Sequence, residues 1–255
     1  MANSYLKSRR SAYDAIAGIE KSGILALRRL SLTWEEQYER WVEAADGSAY
    51  DDRPERIVII ETRKAARHGG PLDNPEQWEW VKSALGETNR RRFVSAVFHR
   101  QAAPRALAST MLRMGVEEEN PSANRLFVEP AVKAMGARRV MNRLIDLLRD
   151  GSDREKAGVA SAAYWVQGDQ NQPSFVEVCG RFRDEMLRQF IATDTVYVRQ
   201  RIISSLSMKT EDYSPDVAKL LPTAIRIARG HFDPYIRHRI EVQLGEEGLL
   251  RPLPS

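Results

Sequence analysis

The amino-acid sequence predicts an all-α fold of antiparallel helix pairs stacked side by side. Three observations lead there. Apolar residues recur with a helical period along nearly the whole chain. No stretch of six residues alternates apolar and polar side chains between turn signals, as a half-buried strand would; the β-branched run from Ile57 to Ile60 sits inside a longer helical pattern. The C-terminal part also repeats itself, helix pair for helix pair.

In chain order, residues 1–32 read as an N-terminal cap, with helices over 5–30 that hide the apolar end of the stack. Residues 33–250 form the stacked helices and 251–255 a short tail. From Thr33 onward, Trp34, Tyr38, Trp41, Val42 and Ala45 make one apolar stripe, and Thr33 with Glu36 forms a capping box at its start. Val140, Leu144, Ile145, Leu147 and Leu148 form a second stripe. Other helix starts are marked by Asn74-Pro75, Ser214-Pro215 and Asp233-Pro234, each a capping residue followed by proline at the first helical position. Ser152 and Glu155 make a further capping box. The short gaps between helices imply antiparallel neighbours.

Self-comparison shows the repeat. Asp194 to Leu206 reads DTVYVRQRIISSL, and Asp233 to Leu244 reads DPYIRHRIEVQL. Arg199 aligns with Arg237, Val198 with Ile236, Ile202 with Ile240 and Leu206 with Leu244, so these six apolar residues are expected in the core. Upstream copies open at Lys156 and Arg90, with looser ones at Arg125 and Arg56. The anchors Arg56, Arg90, Arg125, Lys156, Arg199 and Arg237 are 34, 35, 31, 43 and 38 residues apart, the length of two helices plus turns.

This pattern resembles the HEAT-like family of helical repeats, within the broader armadillo-type superhelix class. The resemblance implies a right-handed α-solenoid over roughly residues 33–250. It also implies a ladder in which the turn aspartate pairs with the second-helix arginine, here Asp194 with Arg199 and Asp233 with Arg237, with Lys156 near Asp150 and Asp153 doing the same. Three features depart from regularity. Pro130 is expected to kink or break the Arg125 helix. Gly168 to Pro173 is a long polar loop, and Glu241 occupies a slot that is apolar in Ile203.

Composition bounds the function. With 42% hydrophobic and 29% charged residues the chain is globular rather than disordered. It has no apolar run long enough to span a bilayer, and Met1 to Arg10 lacks the apolar core of a secretory signal. Cys179 is the only cysteine, which excludes an internal disulfide and fits a cytoplasmic protein. Lys and Arg outnumber Asp and Glu by 17 to 15 in residues 1–100 and by 22 to 20 in 101–255, so neither part is strongly basic. Of the 39 basic residues 31 are arginine. The planar guanidinium suits bidentate pairing with carboxylate or phosphate, and GC-rich coding accounts for the same excess equally well.

Motifs for catalysis are missing: the chain has no phosphate loop, GxGxxG, HExxH, CxxC or GxSxG. His68, His99, His231 and His238 are scattered, and Asp233 between two of them is better explained as a helix cap than as a metal ligand. No cofactor and no metal is expected. Arginines beside the ladder are the binding candidates: Arg91 and Arg92 after Arg90, then Arg201 and Arg239, with His238. Trp34, Trp41 and Trp165 are read as core, while Trp78 and Trp80, two apart, cannot both face inward, which makes one of them a candidate exposed contact. Cys179 is read as buried.

The expectation is a non-catalytic scaffold that grips a protein partner on its concave face through Arg91, Arg92, Arg201, His238 and Arg239. The alternative is a nucleic-acid binder similar to the HEAT-like DNA alkylation-repair glycosylases, although no motif of that family is matched and the near-neutral halves oppose it. A relative of the HEAT-like bilin lyases ranks last, since fold alone does not carry function.

Overall fold

A computed structural model describes residues 32–46, 53–67, 75–84 and 86–245. Among these, every regular element is helical and no strand occurs. None of the described helices is long and apolar enough to cross a membrane. The chain divides into two compact units, Met1–Val97 and Phe98–Ser255. The capping helices expected over 5–30, the tail 251–255, His68 and Asn74 lie outside the described residues.

The first unit contains α1 (Trp34–Asp46), α2 (Arg53–Arg67), α3 (Pro75–Ala84) and α4 (Thr88–Phe98). Its start is capped as the sequence indicates: the Thr33 N–H donates to the Glu36 carboxylate at 2.7 Å, and the Glu36 N–H donates to Thr33 Oγ1 at 3.2 Å. An aromatic cluster fills the space between the helices. Trp34 is fully buried, 6.1 Å from Trp78 and 6.3 Å from Phe93, while Tyr38 and Trp41 each lie 5.8 Å from Phe93. Arg63 of α2 closes the end of α4 by donating to the carbonyls of Ala96 and Val97, both at 2.8 Å.

The second unit runs through α5 (Arg105–Glu117), α6 (Arg125–Met135), α7 (Ala137–Asp150), α8 (Asp153–Ala163), α9 (Pro173–Ala192) and α10 (Val196–Ile203). A single 3-10 turn, Thr210–Asp212, then leads to α11 (Pro215–Ala218), α12 (Leu221–Arg229) and α13 (Pro234–Leu244). All six anchor residues fall within the first four positions of a helix: Arg56 in α2, Arg90 in α4, Arg125 in α6, Lys156 in α8, Arg199 in α10 and Arg237 in α13. Helix α7 packs on α9 and α9 on α12, while α8 packs on α10 and α10 on α13, so these contacts run in two rows.

The rows change order upstream of α7. Sequence spacing puts α6 beside α8, but α5 packs on α8 instead and α6 lies against α7. Two features account for this. Only Gly136 separates α6 from α7, and its φ of 85° turns the chain in a region that other residues avoid. Gly158 of α8 lets its backbone approach α5 so closely that a Cβ there would stand 1.7 Å from the Val116 carbonyl oxygen. Pro130 lies inside α6 without breaking it. It is buried mid-helix and its carbonyl accepts from the Ala103 N–H at 2.9 Å.

The core residues expected from the repeat are found, with one correction. Val198, Ile202 and Ile236 are fully buried, and Leu206 and Ile240 nearly so. Leu244 is only half-buried, because it ends the last described helix and packs at the margin of the core. Glu241, the charged residue in an apolar slot, is explained by α12: Arg229 donates to its two carboxylate oxygens at 2.7 and 2.9 Å. This fork clamps α12 to α13 and holds the Glu241 carboxyl below its usual range, mainly through those hydrogen bonds.

Candidate functional site

The expected ladder exists in altered form. Arg199 lies 3.6 Å from Asp194, whose carboxylate is wholly exposed, and it also donates to the Phe190 carbonyl at 3.3 Å. Arg237 does not take Asp233 as its partner. Its guanidinium donates to the carbonyls of His231 and Phe232 at 2.6 and 2.7 Å, closing the turn between α12 and α13. The Asp233 carboxylate is already used: one oxygen caps the Ile236 N–H at 3.1 Å and the other accepts from Gln200 of α10 at 3.0 Å. Lys156 likewise reaches Gln189 at 3.3 Å rather than Asp150 or Asp153, and Asp153 accepts from Thr195 at 2.6 Å. Thr195 and Gln200 thus bring neutral donors to Asp153 and Asp233 of neighbouring helices, while Arg199 and Arg237 are held by backbone carbonyls.

His231 belongs to the same turn. It is buried, and its Nδ1 accepts from the Asp233 N–H at 3.0 Å, which requires that nitrogen to be unprotonated. Burial pushes its pKa below the ordinary value, and the positive charges of Arg199 and Arg237 add to this against the opposing pull of Asp233. Phe232, stacked on His231 with ring centroids 4.7 Å apart, is left 77% exposed.

The predicted binding residues divide between the units. Arg91 and Arg92 belong to α4 of the first unit, Arg91 half-buried and Arg92 exposed. Arg201, His238 and Arg239 belong to the packed pair α10 and α13. Equivalent positions carry the same residue types there. Tyr197 and Tyr235 are both exposed, and each precedes an arginine by four residues on its helix, Arg201 and Arg239. The Arg201 guanidinium lies 5.3 Å from the Tyr197 ring centre. His238 is exposed. Neither Arg201 nor Arg239 is freely exposed: both are half-buried, and the Arg239 Nε is shielded from solvent without a hydrogen-bond partner.

The chain was compared with known proteins at three levels. No family model, curated protein or solved structure matches it. The functional reading therefore rests on the chain's own side chains.

Two tryptophan expectations are corrected. Neither Trp78 nor Trp80 is exposed: Trp78 is buried, and Trp80 is half-buried with its ring 6.0 Å from Tyr38 and 5.4 Å from the Arg90 guanidinium. Trp165, read as core, is half-buried: it packs against the core and also lines a cleft of about 550 Å³ in the second unit. Its indole donates to the Pro121 carbonyl at 3.0 Å, and the Arg125 guanidinium lies 5.3 Å from its ring centre. Arg100, Lys133 and Gln167 complete the polar lining with Glu129, and Val132 adds an apolar wall. Only Arg125 among these cations had drawn notice in the sequence, as a repeat anchor. Cys179, read as buried, is half-buried; burial pushes its thiol up, partly offset by Arg183.

Proposed function

We propose that the protein is a non-catalytic HEAT-like scaffold, a right-handed α-solenoid of helix pairs that holds a protein partner along the row α8, α10 and α13. The observation that carries this reading is the repeated aromatic–arginine pair, Tyr197 with Arg201 and Tyr235 with Arg239, flanked by exposed Phe232 and His238. Neighbouring Arg199 is engaged by the Phe190 carbonyl and Arg237 by the turn carbonyls of His231 and Phe232, which distinguishes them from the arginines of the two pairs. Aromatic residues and arginine are the types enriched at the energetic centres of protein interfaces. A net charge of only +4 over 255 residues favours a protein over a phosphate backbone, which demands a strongly basic track.

The test sets affinity capture from the native host beside a salt-dependent mobility shift with duplex DNA. The wild-type chain is expected to recover a reproducible protein partner, the Phe232→Ala/Tyr235→Ala variant to lose it, and neither to shift DNA at low salt. Salt-sensitive DNA binding without a protein partner overturns the scaffold reading in favour of a nucleic-acid binder.

A further inference from the structure

The cleft around Trp165 lies outside the residues used above, and its chemistry is distinct. Three cations enter it from separate parts of the chain: Arg100 from the segment before α5, and Arg125 and Lys133 from the two ends of α6. Glu129 is the only acid in the lining, and it is paired with Arg125 at 3.3 Å. The lining therefore keeps a surplus of two positive charges, three against one.

The cleft also contains the one backbone outlier of its kind. Arg100 has a φ of 60°, the only positive φ at a non-glycine residue among the described residues. Lys133 holds this conformation by donating to the Arg100 carbonyl at 2.8 Å. A bulky residue in the left-handed region is unfavourable, and such strain gathers where a side chain must be aimed. Arg100 is exposed and lines the cleft. Trp165, fixed by its bond to Pro121, supplies a flat wall with Val132 beside it.

We infer that this cleft binds a small phosphomonoester attached to a flat ring. A phosphomonoester carries between one and a half and two negative charges near neutral pH, about the surplus the lining offers. A volume of about 550 Å³ suits a ring plus a phosphate and falls in the range of small-molecule sites. The phosphate sits between Arg100 and Lys133 as charge-assisted hydrogen bonds require, and the ring lies against Trp165. The same chemistry has two sources, a small metabolite and a phosphotyrosine side chain.

The experiment is calorimetric titration of the full chain with phenyl phosphate, inorganic phosphate and a phosphotyrosine peptide with neutral flanks. Phenyl phosphate is expected to bind saturably and more tightly than inorganic phosphate. A peptide that binds no tighter than phenyl phosphate assigns the site to a small molecule, and a tighter one assigns it to the modified side chain. Arg100→Gly removes the guanidinium while suiting the positive φ, so it is expected to weaken phenyl phosphate binding about tenfold with no fall in thermal midpoint. Absence of saturable binding at millimolar phenyl phosphate overturns the proposal. So does unchanged affinity in Arg100→Gly, or equal affinity for phenyl phosphate and inorganic phosphate.

Discussion

Substituting Gly158 by alanine tests the packing of α5 on α8. In most helix interiors this change stabilises, since alanine is favoured over glycine by about 1 kcal/mol. Here the added Cβ would stand 1.7 Å from the Val116 carbonyl oxygen and 2.7 Å from its carbon. Ordinary carbon–oxygen contacts begin near about 3.3 Å, so the helices must part by roughly 1.5 Å. Both obstructing atoms are backbone and cannot swing aside. Overpacking costs about 1–3 kcal/mol, and a rigid backbone obstacle puts this case near the upper end. Less the propensity gain, the net loss is about 2 kcal/mol, a fall in Tm of about 4–8 °C for a chain of this size. Gly180 of α9 is the internal control, because a Cβ there meets nothing within 4 Å. Gly180→Ala is therefore expected to raise stability by about 1 kcal/mol. Urea and thermal unfolding of both variants measure the pair. A Gly158→Ala protein as stable as wild type, or two variants that shift together, would refute the α5–α8 contact.

Two further outcomes follow from burial and charge. Ile202→Ala, at a fully buried site, is expected to cost about 2–4 kcal/mol in chemical unfolding, and Leu244→Ala distinctly less because it is half-buried; equal losses would contradict the repeat core. The lowered pKa of His231 makes stability depend on acid. Its stabilising neutral form is fully populated in both states above about pH 6.5, and below that the unfolded chain takes up the proton first, so stability falls as pH drops. Urea midpoints at about pH 7.5 and about pH 5.5 are expected to differ more for wild type than for His231→Gln, and identical differences would remove His231 as the cause.

Much of the fold was legible because its signals are local. Capping pairs such as Ser152 with Glu155 act within one turn, and the structure forms that box reciprocally. The anchors located the helix starts because an apolar stripe and its first arginine travel together in sequence. What was not legible depends on distance. The exchange of α5 for α6 beside α8 turns on one glycine at position 136 and another at 158, neither of which alters the helical periodicity. The ladder is met only at Arg199, 3.6 Å from Asp194; Arg237 turns to the carbonyls of His231 and Phe232, while the Asp233 oxygens are taken by the Ile236 N–H and by Gln200. The Trp165 cleft was invisible because Arg100, Lys133 and Trp165 are far apart in the chain, and each alone is an ordinary residue of a helical protein.

The claim that the α10–α13 surface binds, while the arginines beside it hold the fold, is tested most directly by one paired measurement. Arg201→Glu/Tyr235→Ala and Arg237→Ala are each carried through quantitative partner capture and thermal unfolding. The first variant changes the exposed Tyr235 and the half-buried Arg201, whose guanidinium lies 5.3 Å from the Tyr197 ring centre, and is expected to lose the partner while keeping the wild-type midpoint. The second removes hydrogen bonds to the His231 and Phe232 carbonyls and is expected to retain the partner while losing roughly 1–3 kcal/mol of stability. Retention of the partner by Arg201→Glu/Tyr235→Ala, or its early unfolding, would contradict the account.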